Sequence, residues 1–165
     1  AATVREHWAT SGRPQRLLIS YHGIPQAYAD EGDPYYEECR ETTRLLAEAL
    51  GLAADEHAMT FQSRFGPAEW LRPYTDETLA AWGAEGLEHV DALCPGFSAD
   101  CLETIDEIGH EGGRAFSAAG GGRLHYIPAL NDRPDHVAAL LDIVERHSGG
   151  WLEEERRAVG GLASY

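Results

Sequence analysis

The chain has 165 residues, with 28 acidic side chains against 13 basic ones and a formal net charge of -15. That charge repels polyanions such as nucleic acid, and no local basic patch opposes it. The longest apolar runs, Leu17–Ile19 and Ala138–Leu141, fall far short of the roughly 20 residues that a membrane helix needs, and no signal-peptide pattern opens the chain.

An apolar content of 43% at this length suits one compact domain over 1–165 with a sizeable core. A cytoplasmic location is expected, with no nucleic acid and no transmembrane segment, and peripheral membrane association remains open. Every basic residue is an arginine, which carries no function by itself. Cys39, Cys94 and Cys101 are too few and too irregularly spaced for a zinc knuckle or a disulfide scaffold, and read as reduced structural thiols.

In chain order, the sequence opens on helix-like residues, Val4-Arg5-Glu6-His7-Trp8, with no initiating methionine. This points to a connecting helix over 1–12 and to a piece that begins in mid-architecture. The core runs over 16–147. It alternates aliphatic strands with amphipathic helices: strand Arg16–Tyr21, helix Tyr35–Gly51, strand Ala58–Gln62, helix Thr75–Gly86, strand His89–Cys94, helix Ala99–Gly112, strand Arg123–Ile127 and helix Pro134–His147. The last helix is started by Asn131-Asp132 and Pro134. Ala115–Gly122, with three consecutive glycines, reads as a mobile surface loop, because it has neither the spacing nor the lysine of a phosphate loop. Residues 150–165, with Glu153-Glu154-Glu155-Arg156-Arg157, read as a tail helix fraying into a glycine-rich end.

This rhythm predicts an α/β fold: a Rossmann-like, four-stranded parallel sheet with helices on both faces, in three layers. Ligand sites in such sheets lie beyond the carboxyl ends of the strands, where His22, Gln62, Pro95 and Pro128 fall.

Two features there carry chemistry. His22 closes an apolar strand and is followed by Gly23 and Pro25, which turn the chain and leave the imidazole at the rim of the sheet. With an unperturbed pKa of about 6.5, it can accept a proton near neutrality or ligate a borderline metal; a hydrogen-bonded turn histidine is the plainer alternative. The second feature is acidic. No basic residue occurs between Arg72 and Arg114, while ten carboxylates do. In the helix after Cys94, the face of Cys101, Leu102, Ile105, Ile108 and Gly109 is apolar, so Glu103, Glu107 and Glu111 line the opposite face, with Ser98 and Asp100 suited to cap its start. Like charges four apart cost an isolated helix about 0.2–0.5 kcal/mol per pair, and the plainer reading is a solvated face. A π turn would bring the three carboxylates closer to one line, so such a distortion is expected within Asp100–Glu111. His110 is the one further histidine that could extend the lane. His57, His89, His125, His136 and His147 share no ligand spacing and read as surface or capping groups.

Taken together, Ser20-Tyr21-His22-Gly23-Ile24-Pro25, Gly32-Asp33-Pro34-Tyr35, Thr60-Phe61-Gln62-Ser63-Arg64-Phe65-Gly66, Glu69-Trp70-Leu71, Tyr74-Thr75-Asp76-Glu77-Thr78, the run from Cys94-Pro95-Gly96-Phe97 to Leu102-Glu103-Thr104, and Tyr126-Ile127-Pro128-Ala129-Leu130-Asn131 resemble the ferrochelatases. The resemblance is densest to the proteobacterial branch and to its C-terminal domain, and spans roughly Arg16 to His147.

The resemblance implies insertion of ferrous iron into protoporphyrin IX, the terminal step of haem synthesis, in a cleft between two similar domains. It assigns His22 and Glu103 as catalytic residues and His22, Glu103, Glu107 and Glu111 as the metal-handling set. Trp70, Tyr21 and Gln62 become the candidates for the macrocycle, although an aromatic after a turn is more often a core residue. Iron is expected as substrate, with zinc as a stand-in, and no tightly bound cofactor. Some members hold an iron–sulfur cluster through C-terminal cysteines, and with none after Cys101 no cluster is expected. Protons must leave two pyrrole nitrogens as the metal enters, so an acceptor must cooperate with metal-handling carboxylates. Three readings follow: a C-terminal half that needs its N-terminal domain, a short homodimeric chelatase of the sirohydrochlorin type built from a second copy, and a non-catalytic metal- or tetrapyrrole-binding module.

Overall fold

The structure, a computed structural model, describes residues 1–160. Two compact units divide them, Ala1–Ala129 and a second beginning at Leu130.

In the first unit the elements follow the order α1 (Ala2–Ser11), β1 (Arg16–His22), α2 (Gln26–Asp30), α3 (Tyr35–Leu50), β2 (His57–Gln62), α4 (Thr75–Ala84), β3 (His89–Leu93), α5 (Leu102–Thr104), a π-helix (Ile105–Gly112), α6 (Gly113–Ala118) and β4 (Arg123–Tyr126). The four strands form one parallel sheet in the order β2-β1-β3-β4. This is the expected parallel α/β sheet with a helical layer on each face.

The central strand shows why. Its residues alternate across the sheet, so Leu17, Ile19 and Tyr21 face one way and Leu18, Ser20 and His22 the other. Leu17, Ile19 and Tyr21 join Val4 of α1, Cys39 and Leu50 of α3, and Phe61 in one core cluster. Leu18 joins Leu79 and Trp82 of α4, Val90 and Ala92 of β3, Ile108 and Phe116 in the other. Leu17, Leu18, Ile19, Val90, Ile108 and Phe116 are all essentially inaccessible to solvent, and full burial of such a side chain contributes about 1.5–3 kcal/mol. Glu37 and Glu38 sit in the first turn of α3, where the helix dipole favours them, and Gly51 ends that helix in the left-handed conformation (φ 65°).

Four expectations need correction. The helix after β3 begins at Leu102 rather than Ala99, and it continues past Gly112 to Ala118. The region expected to be a mobile loop is therefore partly helical: Phe116 is fully buried, and the Gly122 N–H donates to the Leu87 carbonyl at 2.8 Å. Cβ atoms at Gly121 would lie 2.5 Å from the Phe116 ring, so the glycines permit close packing rather than mobility. The start of the helix is capped by Cys101 and Thr104 in a reciprocal box, not by Ser98 or Asp100. Asp100 instead accepts from the Tyr126 hydroxyl (2.7 Å), the Ala129 N–H (3.1 Å) and Thr104 Oγ1 (3.2 Å), which ties the helix start to the end of β4. Finally, α2 is an element that the sequence pattern did not reveal.

The second unit is dominated by α7 (Pro134–Gly160). The expected closing helix and the start of the expected tail are one continuous helix, and the glycine-rich end at 161–165 lies outside the described residues. Among the described residues, no helix is long and apolar enough to cross a membrane.

Candidate active site at the carboxyl edge of the sheet

The ends of β1 and β2 and the turns after them carry the site. His22 is paired in register with Gln62, and the Gly23 N–H extends the ladder to the Gln62 carbonyl at 2.9 Å. The His22 carbonyl is held by the Tyr35 hydroxyl at 2.8 Å. Nδ1 of His22 lies 2.7 Å from the Gly23 carbonyl oxygen, which can only accept. That contact requires a proton on Nδ1, so in the neutral ring Nε2 is the nitrogen that can accept. The half-buried imidazole lies between two aromatic rings, Trp70 and Phe97, each with its centroid 6.4 Å away. Gly23 makes room for this arrangement, since a Cβ there would come within 3.1 Å of the Trp70 ring and of the Gln62 carbonyl.

Trp70 is 7% exposed, and its indole N–H donates to the Phe65 carbonyl at 3.1 Å. It thus packs against the turn as a core-like residue would, with one ring contact to His22. Gln62 is buried and acts as a clasp rather than as a surface group. Its Oε1 accepts from Ser20 Oγ (2.7 Å) and Cys94 Sγ (3.3 Å), and its amide nitrogen donates to the Glu103 carbonyl. One side chain thereby joins the ends of three strands to the start of the acidic helix.

Tyr21 is not part of this cluster. Strand alternation turns it to the opposite face, where it is buried and its hydroxyl pairs with Thr43 of α3 at 3.0 Å. Burial pushes its phenol up to about 12. Its assignment to the macrocycle is therefore corrected to a core role.

The expected π distortion is present over Ile105–Gly112. Its faces, however, are not those expected. Leu102 is 78% exposed and Ile105 46% exposed, while Glu103 and Glu107 are half-buried. The cause is a set of donors at the end of β2 and in the turn after it. Ser63, in the left-handed conformation (φ 63°), donates its N–H to Glu107 Oε1 at 2.6 Å and its Oγ to Oε2 at 2.5 Å. Gln62 adds a weaker contact to Oε2 at 3.4 Å. Charge-assisted bonds of this length outweigh the preference of Leu102 and Ile105 for burial.

A hydrogen bond from the Cys101 thiol holds the Glu103 carboxyl below its ordinary value, aided by its own backbone N–H and by attraction to His22. Glu103 is therefore ionised near neutrality. Glu111 is exposed, with Arg114 3.8 Å away. The lane thus runs from His22 and Glu103 inside, through the clamped Glu107, to Glu111 at the surface. Glu107 and Glu111 also line a cleft of about 250 Å³ with Ser63, Arg64, Asp76 and Ala115. Arg64 there pairs with Asp76 at 2.7 Å and with Glu77 at 3.4 Å. His110 does not extend the lane, because it is exposed and faces Asp106 at 3.2 Å one turn away.

Sequence reasoning missed Ser63, Phe97 and Cys101. The one available signal was proximity, Cys101 lying two residues before Glu103; the clamp by Ser63 depends on contacts between segments 44 residues apart. Chemically, the arrangement offers an imidazole and a carboxylate on the same edge of the sheet, with two further carboxylates along the following helix, the last of them exposed. Such a set can accept protons and hold a divalent cation.

Comparison with known proteins gives a consistent result. The family model described as ferrochelatase matches residues 1–148. The chain is 57% identical over 153 residues to the ferrochelatase of Thioalkalivibrio sulfidiphilus, covering 93% of this chain and 42% of that protein. It is 55% identical over 155 residues to that of Hydrogenovibrio crunogenus (94% and 41%), and 55% identical over 158 residues to that of Pseudoalteromonas atlantica (96% and 44%). The chain therefore spans less than half the length of these curated relatives. Among solved structures, a putative cobalamin biosynthesis CbiX protein from Marinobacter aquaeolei aligns with a TM-score of 0.49 at 18% identity, over 81% of this chain and 97% of that one.

Proposed function

Because the chain belongs to the ferrochelatase family, we propose that it supplies one half of the cleft in which ferrous iron is inserted into protoporphyrin IX to give protohaem. The remainder of the cleft comes from the portion of the longer relatives that this chain does not match. The observation that carries the reading is the convergence, through Gln62, of His22 at the end of β1 and Glu103 at the head of a π-helical row of glutamates.

The reaction exchanges one dication for two protons. In this reading, Nε2 of His22 takes a proton from a pyrrole N–H, and the resulting imidazolium is stabilised by Glu103. The second proton leaves by Glu103 and the lane. Glu107 and Glu111, ending at solvent, carry protons outward or iron inward. Placing carboxylates in a row favours either task, since their mutual repulsion falls when a proton or a cation joins them.

The apolar surface beside these groups suits a flat hydrophobic macrocycle. Phe65 is 80% exposed next to Trp70, and Leu102 and Ile105 are exposed beside Glu103. Large apolar side chains left uncovered around a few convergent polar groups are the usual make-up of such a binding surface.

The test is anaerobic metalation of a soluble porphyrin followed by absorbance, with the chain alone and with the N-terminal half of one of its relatives added. The proposal expects little turnover alone and recovery in the mixture. A chain that binds porphyrin or iron stoichiometrically, yet yields no metalloporphyrin in either format, would overturn it.

A further inference from the structure

Away from the carboxyl edge, three histidines that share no sequence spacing converge on one buried aspartate. Asp91 lies in the middle of β3, is wholly inaccessible to solvent and faces α1. His125 is its register partner on β4, His89 lies two residues before it on the same strand face, and His7 reaches it from α1. The His125 ring meets those of His7 and His89 edge-on, with centroids 5.5 and 5.1 Å away. His89 and His125 are thus not the surface or capping groups that their spacing predicts.

The polar accounting around Asp91 is incomplete in a specific way. Oδ1 accepts from Nε2 of His89 at 2.9 Å, and Oδ2 accepts from the Trp8 indole at 2.8 Å. Nε2 of His7 and Nδ1 of His125 are also buried, but have no hydrogen-bond partner. They stand 3.5 Å from Oδ2 and 3.6 Å from Oδ1, beyond ordinary hydrogen-bond length. Buried polar atoms are normally satisfied, so two orphaned imidazole nitrogens aimed at one carboxylate call for a further partner.

Those separations have a natural meaning. Two ligands of one tetrahedral zinc, at metal–ligand distances of about 2.0–2.1 Å, lie about 3.3–3.5 Å apart. The donor atoms of His7, Asp91 and His125 all fall within 4.8 Å of one another.

We propose that His7, Asp91 and His125 bind a divalent transition ion of the zinc class, with His89 either orienting Asp91 or completing the shell as a fourth ligand. Imidazole and carboxylate donors suit zinc better than magnesium or calcium, which prefer all-oxygen sets. The site fastens α1 to the sheet. It is separate from the proposed chelation site, because Leu17, which pairs with Asp91, lies five residues before His22 on β1, about 16 Å along the strand.

The decisive experiment uses the full chain carrying His22→Ala, Glu103→Gln, Glu107→Gln and Glu111→Gln, which removes the ligands proposed for the carboxyl edge. Cobalt(II) is titrated in as the probe, read by visible absorption and by metal content after dialysis. The result expected is one cobalt per chain, and at least a tenfold loss of affinity when either His7→Gln or His125→Gln is added. Thermal melts supply a second readout: cobalt or zinc should raise the melting temperature of the background protein, and not of a properly folded His7→Gln variant. No ion retained in the background protein, or affinity within threefold after either histidine change, overturns the proposal. Neither result bears on whether His22 and Glu103 chelate iron.

Discussion

Ser63→Ala asks whether the carboxylate of Glu107 is held by the sheet or merely lies near it. Ser63 reaches that carboxylate twice, through its N–H at 2.6 Å and its hydroxyl at 2.5 Å, and alanine removes only the second bond. The left-handed backbone at residue 63 (φ 63°) is as costly for alanine as for serine, so that cost cancels. A hydrogen bond to a charged acceptor contributes about 1.5–3 kcal/mol, and one to a neutral acceptor about 0.5–1.5 kcal/mol. Ser63→Ala should therefore destabilise the chain by about 1.5–3 kcal/mol, but by only about 0.5–1.5 kcal/mol when Glu107→Gln is already present. The coupling, about 1 kcal/mol or more, is measured by urea unfolding of the four proteins with an unchanged slope against denaturant. Equal costs in the two backgrounds, to within about 0.3 kcal/mol, would show that the serine and the charge act independently. The explanation for the inward turn of the glutamates would then fail.

Three further outcomes are expected. The Tyr21 phenol is pushed up to about 12 by burial, so above its unfolded value the folded chain keeps a proton that the unfolded chain releases. Stability that is complete below pH ~10 should then fall as pH rises toward 12, with a shallower fall in Tyr21→Phe; identical alkaline slopes in urea midpoints would contradict this. Burial pushes the Cys94 thiol well above its usual range and the Cys39 thiol up to about 11, so a thiol reagent at pH 8 should label Cys101 rapidly and the other two only after unfolding. Rapid labelling of two or three sites in the folded chain would refute that assignment. Gly83→Ala should destabilise by about 1–3 kcal/mol despite the better helix propensity of alanine, because its Cβ would lie 2.5 Å from the Phe116 carbonyl and 2.7 Å from Ala119 Cβ; an unchanged or raised urea midpoint would rule out so close an approach of α4 to α6.

What the sequence revealed followed from short-range periodicity. The aliphatic run Leu17–Ile19 marked the strand and placed the imidazole at its end, and the four-residue spacing of the glutamates pointed to the π turn that Ile105–Gly112 adopts. The two-residue period of any strand already put Tyr21 on the face opposite His22, so its assignment to the macrocycle overlooked a constraint that was present. Other features depended on partners distant in the chain. Leu102 and Ile105 read as core on their own helix, and are exposed because Ser63 and Gln62 bind the glutamates instead. Glycine composition made 115–122 look mobile, whereas Phe116 needs those glycines to be buried. His7, His89 and His125 come together only through the register of β3 on β4 and the docking of α1.

The central claim concerns the imidazole at the end of β1, and it is tested most directly by the rate of ferrous iron insertion in the joined enzyme carrying His22→Ala. The account predicts a fall of about 10²–10⁴-fold, the usual contribution of a positioned proton acceptor, with an unchanged circular dichroism spectrum. A rate within about tenfold of the parent enzyme would contradict it and move proton acceptance elsewhere in the cleft.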